Sequence, residues 1–355
     1  MADLSSPRLP LPEPREGPSP FLEGTAIQYA WDSTCLGALK KCPRYYQYSI
    51  IEGWRGRGSN VHLEFGIHFT NALEYYDKLR ADVDQDGGAD HESALQEVIR
   101  VLMNETWIEP PVDNTGDYIE PPYRWEHGPH DSKIGNKNFY NLLRSVIWYL
   151  DQFETDPAET VIASDGTPLV ERSFRMELGW GPEACRTNRV LLDTPLGYTQ
   201  PYLLCGHLDR VVSFLGGTFV MDHKTTKTTV SDYYFDQYNP HNQMTLYTLA
   251  GQVIFGSPIR GVIIDAVQVA VGFSRPARGL TYRTQPQLEE WMADLRYWLD
   301  QAEGFATRGH WPMNDAACFN CAFTKICSKD PAVRETFLAA SFTKENPWNP
   351  LKIRN

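Results

Sequence analysis

The sequence predicts a mixed α/β fold with a helical insertion, and three observations carry that prediction. Apolar residues recur at helical spacing in three segments between Val61 and Phe153. The chain then changes to short stretches of strand composition, two of them joined through Gly216-Gly217. A helix, a strand and a further amphipathic helix follow. Helices, then a hairpin-bearing sheet, then strand and helix again is the order of a central mixed sheet flanked by helices.

Each element has its own signal. Residues 1–24 are rich in Pro and Ser and lack periodicity, which marks a flexible leader. In Val61 to Leu79 the residues Leu63, Phe65, Phe69, Ala72, Leu73 and Tyr76 fall mostly on one helical face. The acidic, glycine-containing stretch Asp82 to Ser93 reads as a loop. Ala94 to Trp107 and Asn138 to Phe153 are amphipathic helices, the second carrying Phe139, Leu142, Leu143, Val146, Ile147, Leu150 and Phe153. Between them the Pro- and Gly-rich stretch Glu109 to Gly135 is too long for an ordinary connection. The helical insertion is therefore placed around 82–153, with 109–135 as an insertion or lid.

Strands are expected over Leu169 to Leu178, Tyr202 to Phe214 and Thr218 to His223, the last two forming a hairpin at the paired glycines. Asn239 to Val253 returns to helix and Gly261 to Val271 to strand. Gln287 to Phe305 is a helix carrying Leu288, Trp291, Met292, Leu295, Trp298 and Leu299. A single domain is expected over 25–330, with 331–355 as a polar C-terminal tail.

Composition excludes several classes. The 355 residues can bury a sizeable core, and 22% charged with 12% aromatic residues is not the make-up of a disordered chain. The longest candidate apolar stretch, Gly261 to Phe273, is too short to span a bilayer and contains Asp265. The first twenty residues lack the apolar core of a signal peptide, so a cytoplasmic location is expected, or the host cytoplasm if the gene is carried by a phage. There, seven cysteines are not a disulfide framework. A net charge of −12 argues against a binder held to nucleic acid by its overall field. It leaves open a nuclease, whose metal site is itself made of carboxylates.

The stretch CGHLDRVVSFLGGTFVMDHKTTK, Cys205 to Lys227, holds the chemistry. If its halves pair across Gly216-Gly217, Asp209 lies on one strand and Asp222 and Lys224 on the next. Asp222 and Lys224 are two apart, so their side chains leave the same face. Two carboxylates and an ammonium then reach one point. Hard oxygen donors, completed by waters and a substrate phosphate, suit Mg²⁺ or Mn²⁺. Lys224 can position or deprotonate a water and neutralise developing charge. Asp-x-Lys by itself is also common on solvated strands. Gln243 and Tyr247, four apart in a predicted helix, face the same way.

Gly-His-Leu-Asp, a hairpin, then hydrophobic-Asp-x-Lys, followed by Gln243-x-x-x-Tyr247, resembles the PD-(D/E)XK nuclease superfamily. The likeness is to its RecB-like branch, which includes the CRISPR-associated RecB-like exonucleases, the nuclease domains of the AddAB helicase-nuclease and phage relatives. It covers the chain from about Ser33 to Lys329. The resemblance implies a restriction-endonuclease-like core with Asp209 and Asp222 as ligands of Mg²⁺ or Mn²⁺ and Lys224 as the catalytic lysine. The carbonyl of His223 is a further ligand, and Gln243 and Tyr247 bind the nucleic acid and order the site. In many members a helix before the sheet carries a third metal ligand, a histidine. Here Thr70 occupies that position and His68 lies two residues earlier, about 200° around the helix. His68 is taken as the candidate third ligand. Glu171 resembles the acidic residue of the first family strand, and a structural role is assigned to it.

Cys318, Cys321 and Cys327 have the spacing C-x2-C-x5-C and need a fourth thiolate to close a tetrahedral site. Ser33 to Tyr48, with Cys42-Pro-Arg-Tyr, resembles the N-terminal segment of iron-sulfur members of the same branch. The resemblance implies a [4Fe-4S] cluster on Cys42, Cys318, Cys321 and Cys327, stapling the two ends of the domain. Spacing alone leaves Zn²⁺, or four unligated thiols, as alternatives. Cys35 is the second choice for the fourth ligand, while Cys185 and Cys205 carry no assigned role. Lys40, Lys41, Arg44, Arg55, Arg57, Arg210 and Lys227 flank these motifs, and Arg55-Gly-Arg57-Gly after Trp54 is a candidate phosphate contact for a single strand, though basic residues close to a loop are usually just solvated.

The reading that results is a metal-dependent deoxyribonuclease, an exonuclease on DNA ends or single strands in phage or bacterial replication, recombination or repair. No G-x-x-x-x-G-K-[ST] motif occurs, so a separate helicase or recombinase is the expected partner. The alternative is a catalytically weak iron-sulfur module that binds nucleic acid.

Overall fold

The computed structural model describes residues 11–58, 60–81, 88–106, 114–116, 135–186, 198–255, 259–344 and 346–353. In chain order these form β1 (Ala30–Trp31), α1 (Ser33–Lys41), α2 (Pro43–Tyr46), β2 (Trp54–Gly56), α3 (Val61–Ala81), α4 (His91–Thr106) and α5 (Phe139–Gln152). Then come β3 (Glu159–Thr160), β4 (Val170–Glu177), β5 (Leu203–Phe214), β6 (Gly217–Thr226), α6 (Asp232–Asp236) and α7 (Asn242–Phe255). The chain ends with β7 (Ile259–Val269), β8 (Ser274–Thr281), α8 (Gln285–Arg308), α9 (Thr324–Cys327), α10 (Arg334–Ser341) and β9 (Phe342–Lys344). Every helix and strand expected from periodicity is present. Most of the stretch 109–135 lies outside the described residues.

The chain divides into two compact units, each assembled from separate stretches. The first comprises Met1–Gly58, Ser173–His207 and Thr284–Asn355, and the second Ser59–Arg172 and Leu208–Arg283. Contiguous sequence gives no hint of such a division, because both units are closed by contacts between distant segments.

In the first unit the leader and tail are structural. Arg15 donates from Nε to the Trp348 carbonyl at 3.0 Å, Phe21 is buried, and β9 pairs antiparallel with β2. Neither segment is free over its described residues. They are held by isolated contacts, among them Arg15 on the Trp348 and Ile50 carbonyls, the Glu13–Lys344 and Glu16–Lys352 ion pairs and the buried Phe21, which leave no periodic signature. Asp32 caps α1 by accepting from the Cys35 N–H at 2.8 Å, and it also accepts from Trp348 Nε1 at 2.6 Å. Trp31 stacks on Tyr46, which in turn meets Trp311 with centroids 5.1 Å apart.

The second unit is a sheet with helices on both faces. Strand β5 pairs antiparallel with β6, β6 parallel with β7, and β7 antiparallel with β8. Because side chains alternate along β6, one set faces α3 and α5 and the other faces α6 and α7. Phe65, Phe69, Leu73, Phe139, Leu142 and Val146 join Val267 and Val269 in the core on the first side. On α7, a Cβ on Gly251 would meet the Ile259 side chain at 2.6 Å, so glycine lets that helix lie close to β7.

The hairpin turn is shifted by one residue from the expected one. Phe214 pairs with Gly217, leaving Leu215 and Gly216 as the two turn residues, with φ of 48° and 70°. That is the positive-φ pattern of a type I′ turn, which matches the twist of the flanking strands. The shift decides which side chains meet at the site.

Candidate active site

Register places the acidic residues. Arg210 pairs with Met221, so the next position along the ladder sets Asp209 opposite Asp222. Directly opposed residues of an antiparallel pair share a face. A turn at Gly216-Gly217 would instead have set Asp209 opposite Lys224. The strands part here, and the Asp209 carboxylate takes up the His223 N–H, accepting it at 3.1 Å.

Asp222 is buried, and its Oδ2 lies 2.5 Å from Lys224 Nζ. Among the described residues its Oδ1 has no hydrogen-bond donor. Glu171 is buried at the start of β4 with φ of 50°, a conformation a non-glycine residue adopts only under strain. Burial first, then the charges of Asp222 and Glu171, push Asp209 up to about 7, against the pull of Lys224. Lys224 is held above the usual lysine range: burial opposes this, but Asp222 and Asp209 outweigh it. It therefore stands as ammonium.

Gln243 and Tyr247 meet as expected on α7, with Gln243 Nε2 donating to the Tyr247 hydroxyl at 2.9 Å. Burial, then Asp209 and Asp222, push the Tyr247 phenol well up, so it remains neutral beside the carboxylates. Asp209, Asp222, Lys224, Gln243 and Tyr247 are thus brought together, with Glu171 joining them.

His68 goes elsewhere. It faces Glu105 of α4, Nδ1 to Oε2 3.6 Å, as a helical offset of about 200° from the Thr70 position would have it. Among the described residues no group of three or more His, Cys, Asp or Glu is placed to hold a metal ion. His68 therefore does not complete a set with Asp209 and Asp222.

The thiols Cys42, Cys318, Cys321 and Cys327 share the first unit without forming a complete ligand shell. The Asn314 N–H donates to Cys42 Sγ at 3.3 Å, and Cys318 Sγ lies 3.9 Å from the Asn314 carbonyl. Burial pushes the Cys327 thiol up, and nearby Cys321 and Cys42 add to this against the pull of Arg44 and Arg334. Cys35 is fully buried beside Asp32 and its thiol is raised well above the ordinary value by burial. It has no place in the set.

Arg210, one of the basic residues flanking the motifs, points away from Asp209 and Asp222. It is buried on the opposite face of the sheet, 3.2 Å from both Asp77 and Asp156. Arg278 pairs there with Asp156 at 2.6 Å and Asp265 at 3.3 Å, and Tyr149 donates to Asp265. Asp77, Tyr149, Asp156, Arg210 and His223 line a cavity of about 300 Å³ beside this network. Sequence reasoning missed all of it, since each residue looks like ordinary strand or helix surface until the tertiary fold joins them.

The raised Asp209 has a measurable consequence. An unfolded Asp loses its proton near 3.9, whereas folded Asp209 keeps one to about 7. The folded chain binds more protons between those values, so this group makes stability fall as pH rises from about 4 to 7. In metal-free protein Asp209→Asn should flatten that part of the pH dependence of Tm. An unchanged profile would show that Asp209 ionises normally.

No curated protein matches the chain. Among solved structures, one named "Putative exonuclease" from Eubacterium rectale aligns at 10% identity over 85% of this chain and 90% of that chain, with a TM-score of 0.42. Another, SSO0001, aligns at 13% identity over 45% of this chain and 59% of that one, with a TM-score of 0.23. Both are distant in sequence and loose in shape, and neither adds to what the site itself says. The family comparison is decisive: residues 34–328 match the model of the PD-(D/E)XK nuclease superfamily, a span that holds the opposed aspartates, the lysine beside them and the Gln-Tyr pair, and the chain belongs to that superfamily.

Proposed function

We propose that this protein is a Mg²⁺- or Mn²⁺-dependent deoxyribonuclease acting as an exonuclease on DNA ends or single strands. One observation carries the reading: buried Asp222, opposite Asp209, pairs with Lys224 at 2.5 Å and leaves Oδ1 without a donor. Two carboxylates and the buried Glu171 crowd negative charge around a single ammonium, and that imbalance suits a hard divalent cation. Asp209, Asp222 and the His223 carbonyl would hold it. When bound, such an ion polarises a phosphodiester and makes a water acidic enough to supply hydroxide.

The chain's own groups do the rest. Lys224, kept as ammonium, supplies a fixed positive charge to oxygens that become more negative as the P–O bond breaks. Gln243, locked to Tyr247, orients a strand at the mouth of the site. In this reading Cys42, Cys318, Cys321 and Cys327 hold a [4Fe-4S] cluster that ties separate segments of the first unit, and cysteine thiols are the right donor chemistry for it. A separate helicase or recombinase would deliver the DNA.

The test uses end-labelled single- and double-stranded DNA with Mn²⁺, Mg²⁺ or chelator. Exonuclease action releases label as mononucleotides or short products from one end, only with metal. DNA bound but uncut in either metal would favour the iron-sulfur binding module, the alternative that the placement of His68 against Glu105 keeps in view. Anaerobically purified protein should show visible charge-transfer absorption with iron and sulfide in equal amounts, and Cys42→Ser should abolish the absorption and lower Tm. Stoichiometric zinc without iron would refute the cluster.

A further inference from the structure

The segment joining α6 to α7 carries a side chain that no motif claims. His241 immediately precedes α7, and its carbonyl accepts from both the N–H and the hydroxyl of Thr245 at 3.0 Å. Thr245 Oγ1 in turn accepts from Arg283 Nε at 2.8 Å, and Arg283 also donates to the Tyr238 carbonyl at 2.8 Å. One guanidinium therefore fixes both ends of the stretch from Tyr238 to His241. The His241 ring lies against Tyr238 with centroids 5.4 Å apart, and the Tyr238 hydroxyl meets that of Tyr234 at 3.2 Å.

Electrostatics set these three rings beside the Asp222–Lys224 pair. Lys224 interacts with Tyr234 and His241, and Asp222 with Tyr238 and His241. Burial, then Lys224, hold His241 below the usual histidine value against the pull of Asp222, so its ring is neutral. A neutral imidazole has one nitrogen that accepts, and His241 Nδ1 is buried without a hydrogen-bond partner among the described residues. A buried polar atom left unpaired destabilises the fold unless another state of the site uses it.

Lys224 supplies that state. Its side chain keeps 28% of its surface exposed where Asp222 keeps 1%, so the ammonium has room to turn and the carboxylate does not. One of its three N–H groups faces Asp222 Oδ2 at 2.5 Å. Once the Asp222 oxygens turn to a cation, the ammonium needs a new acceptor. We propose that His241 Nδ1 is this acceptor: it takes a hydrogen bond from Lys224 Nζ when Asp222 binds the cation, and so holds the ammonium at the substrate phosphate instead of against the carboxylate. His241 is thereby a positioning residue that acts through Lys224, and its role rests on the cation site of the proposed nuclease.

Calorimetric titration of Mn²⁺ into full-length protein tests the exchange as a double-mutant cycle. His241→Phe should weaken Mn²⁺ binding about tenfold in wild type, because the ammonium released by Asp222 finds no acceptor. Beside Lys224→Met, which leaves no ammonium to seat, His241→Phe should change nothing. His241→Asn, whose amide oxygen stands near the place of Nδ1, should restore most of the loss. With DNA, His241→Phe should lower kcat about tenfold and leave KM little changed, since Lys224 is present but misdirected. Equal weakening of Mn²⁺ binding with and without Lys224, or no weakening in wild type, overturns the seat and leaves the nuclease reading intact. Should His241→Phe fail to fold, nitrogen NMR spectra of the wild-type histidines decide: Mg²⁺ should move His241 Nδ1 upfield into the hydrogen-bonded range, and an unmoved signal overturns the seat. The expected cycle in protein that cuts no DNA would keep the seat and sink the nuclease reading. A wild type that binds no Mn²⁺ would sink both.

Discussion

Asp222→Ala and Lys224→Ala are each expected to lower metal-dependent DNA cleavage by about a thousandfold or more, with the fold retained. The two changes act differently. Removing Asp222 takes away a metal-directed carboxylate and one of the charges that raise Asp209, so the Asp209 proton should leave at lower pH. Removing Lys224 leaves Asp209, Asp222 and Glu171 facing one another without a cation. That variant should be less stable than wild type in chelator at neutral pH and should recover most of the loss with Mn²⁺, because the ion replaces the missing positive charge. Cleavage rates and melting curves of both variants, with and without metal, separate these effects. Full activity in either would remove Asp-x-Lys from the mechanism.

The second large effect concerns stability. Arg210 is buried between Asp77 and Asp156, donates from Nε to Thr160 Oγ1 at 2.8 Å and from its second terminal nitrogen to the Ala158 carbonyl at 3.1 Å. Arg210→Ala takes the ion-pair partner from Asp77, which burial already raises to about 6 despite Arg210, while Asp156 keeps Arg278. Breaking one side of a buried ion pair costs about 3–5 kcal/mol, a large part of the roughly 5–15 kcal/mol that holds a domain. Urea denaturation should show the midpoint falling accordingly. Asp77→Asn, which removes a charge burial already disfavours, should cost much less. Equal midpoints for wild type and Arg210→Ala would mean that the network is solvated.

The same strand pair shows what was readable in advance. Period-two alternation and a glycine-bearing turn were enough to find the hairpin and to put Asp222 and Lys224 on one face. Turn chemistry was read one residue late, because Leu215 carries a positive φ that its side chain does not advertise. That single residue separates an Asp209–Lys224 pair from the opposed Asp209 and Asp222 that the register gives. Helices α3, α5, α7 and α8 announced themselves through apolar periodicity. The leader did not, since its hold on the first unit is a few isolated side-chain contacts from Glu13, Arg15 and Phe21.

In the proposed mechanism Asp209 and Asp222 together hold the divalent cation that cleavage requires. Calorimetric titration of Mn²⁺ into wild type, Asp209→Asn and Asp222→Asn, with DNA cleavage followed on the same samples, isolates that role. Wild type should bind Mn²⁺ at a site that is lost in both variants, along with activity. Cleavage that persists in either variant, or Mn²⁺ binding that is equal in all three, would contradict it.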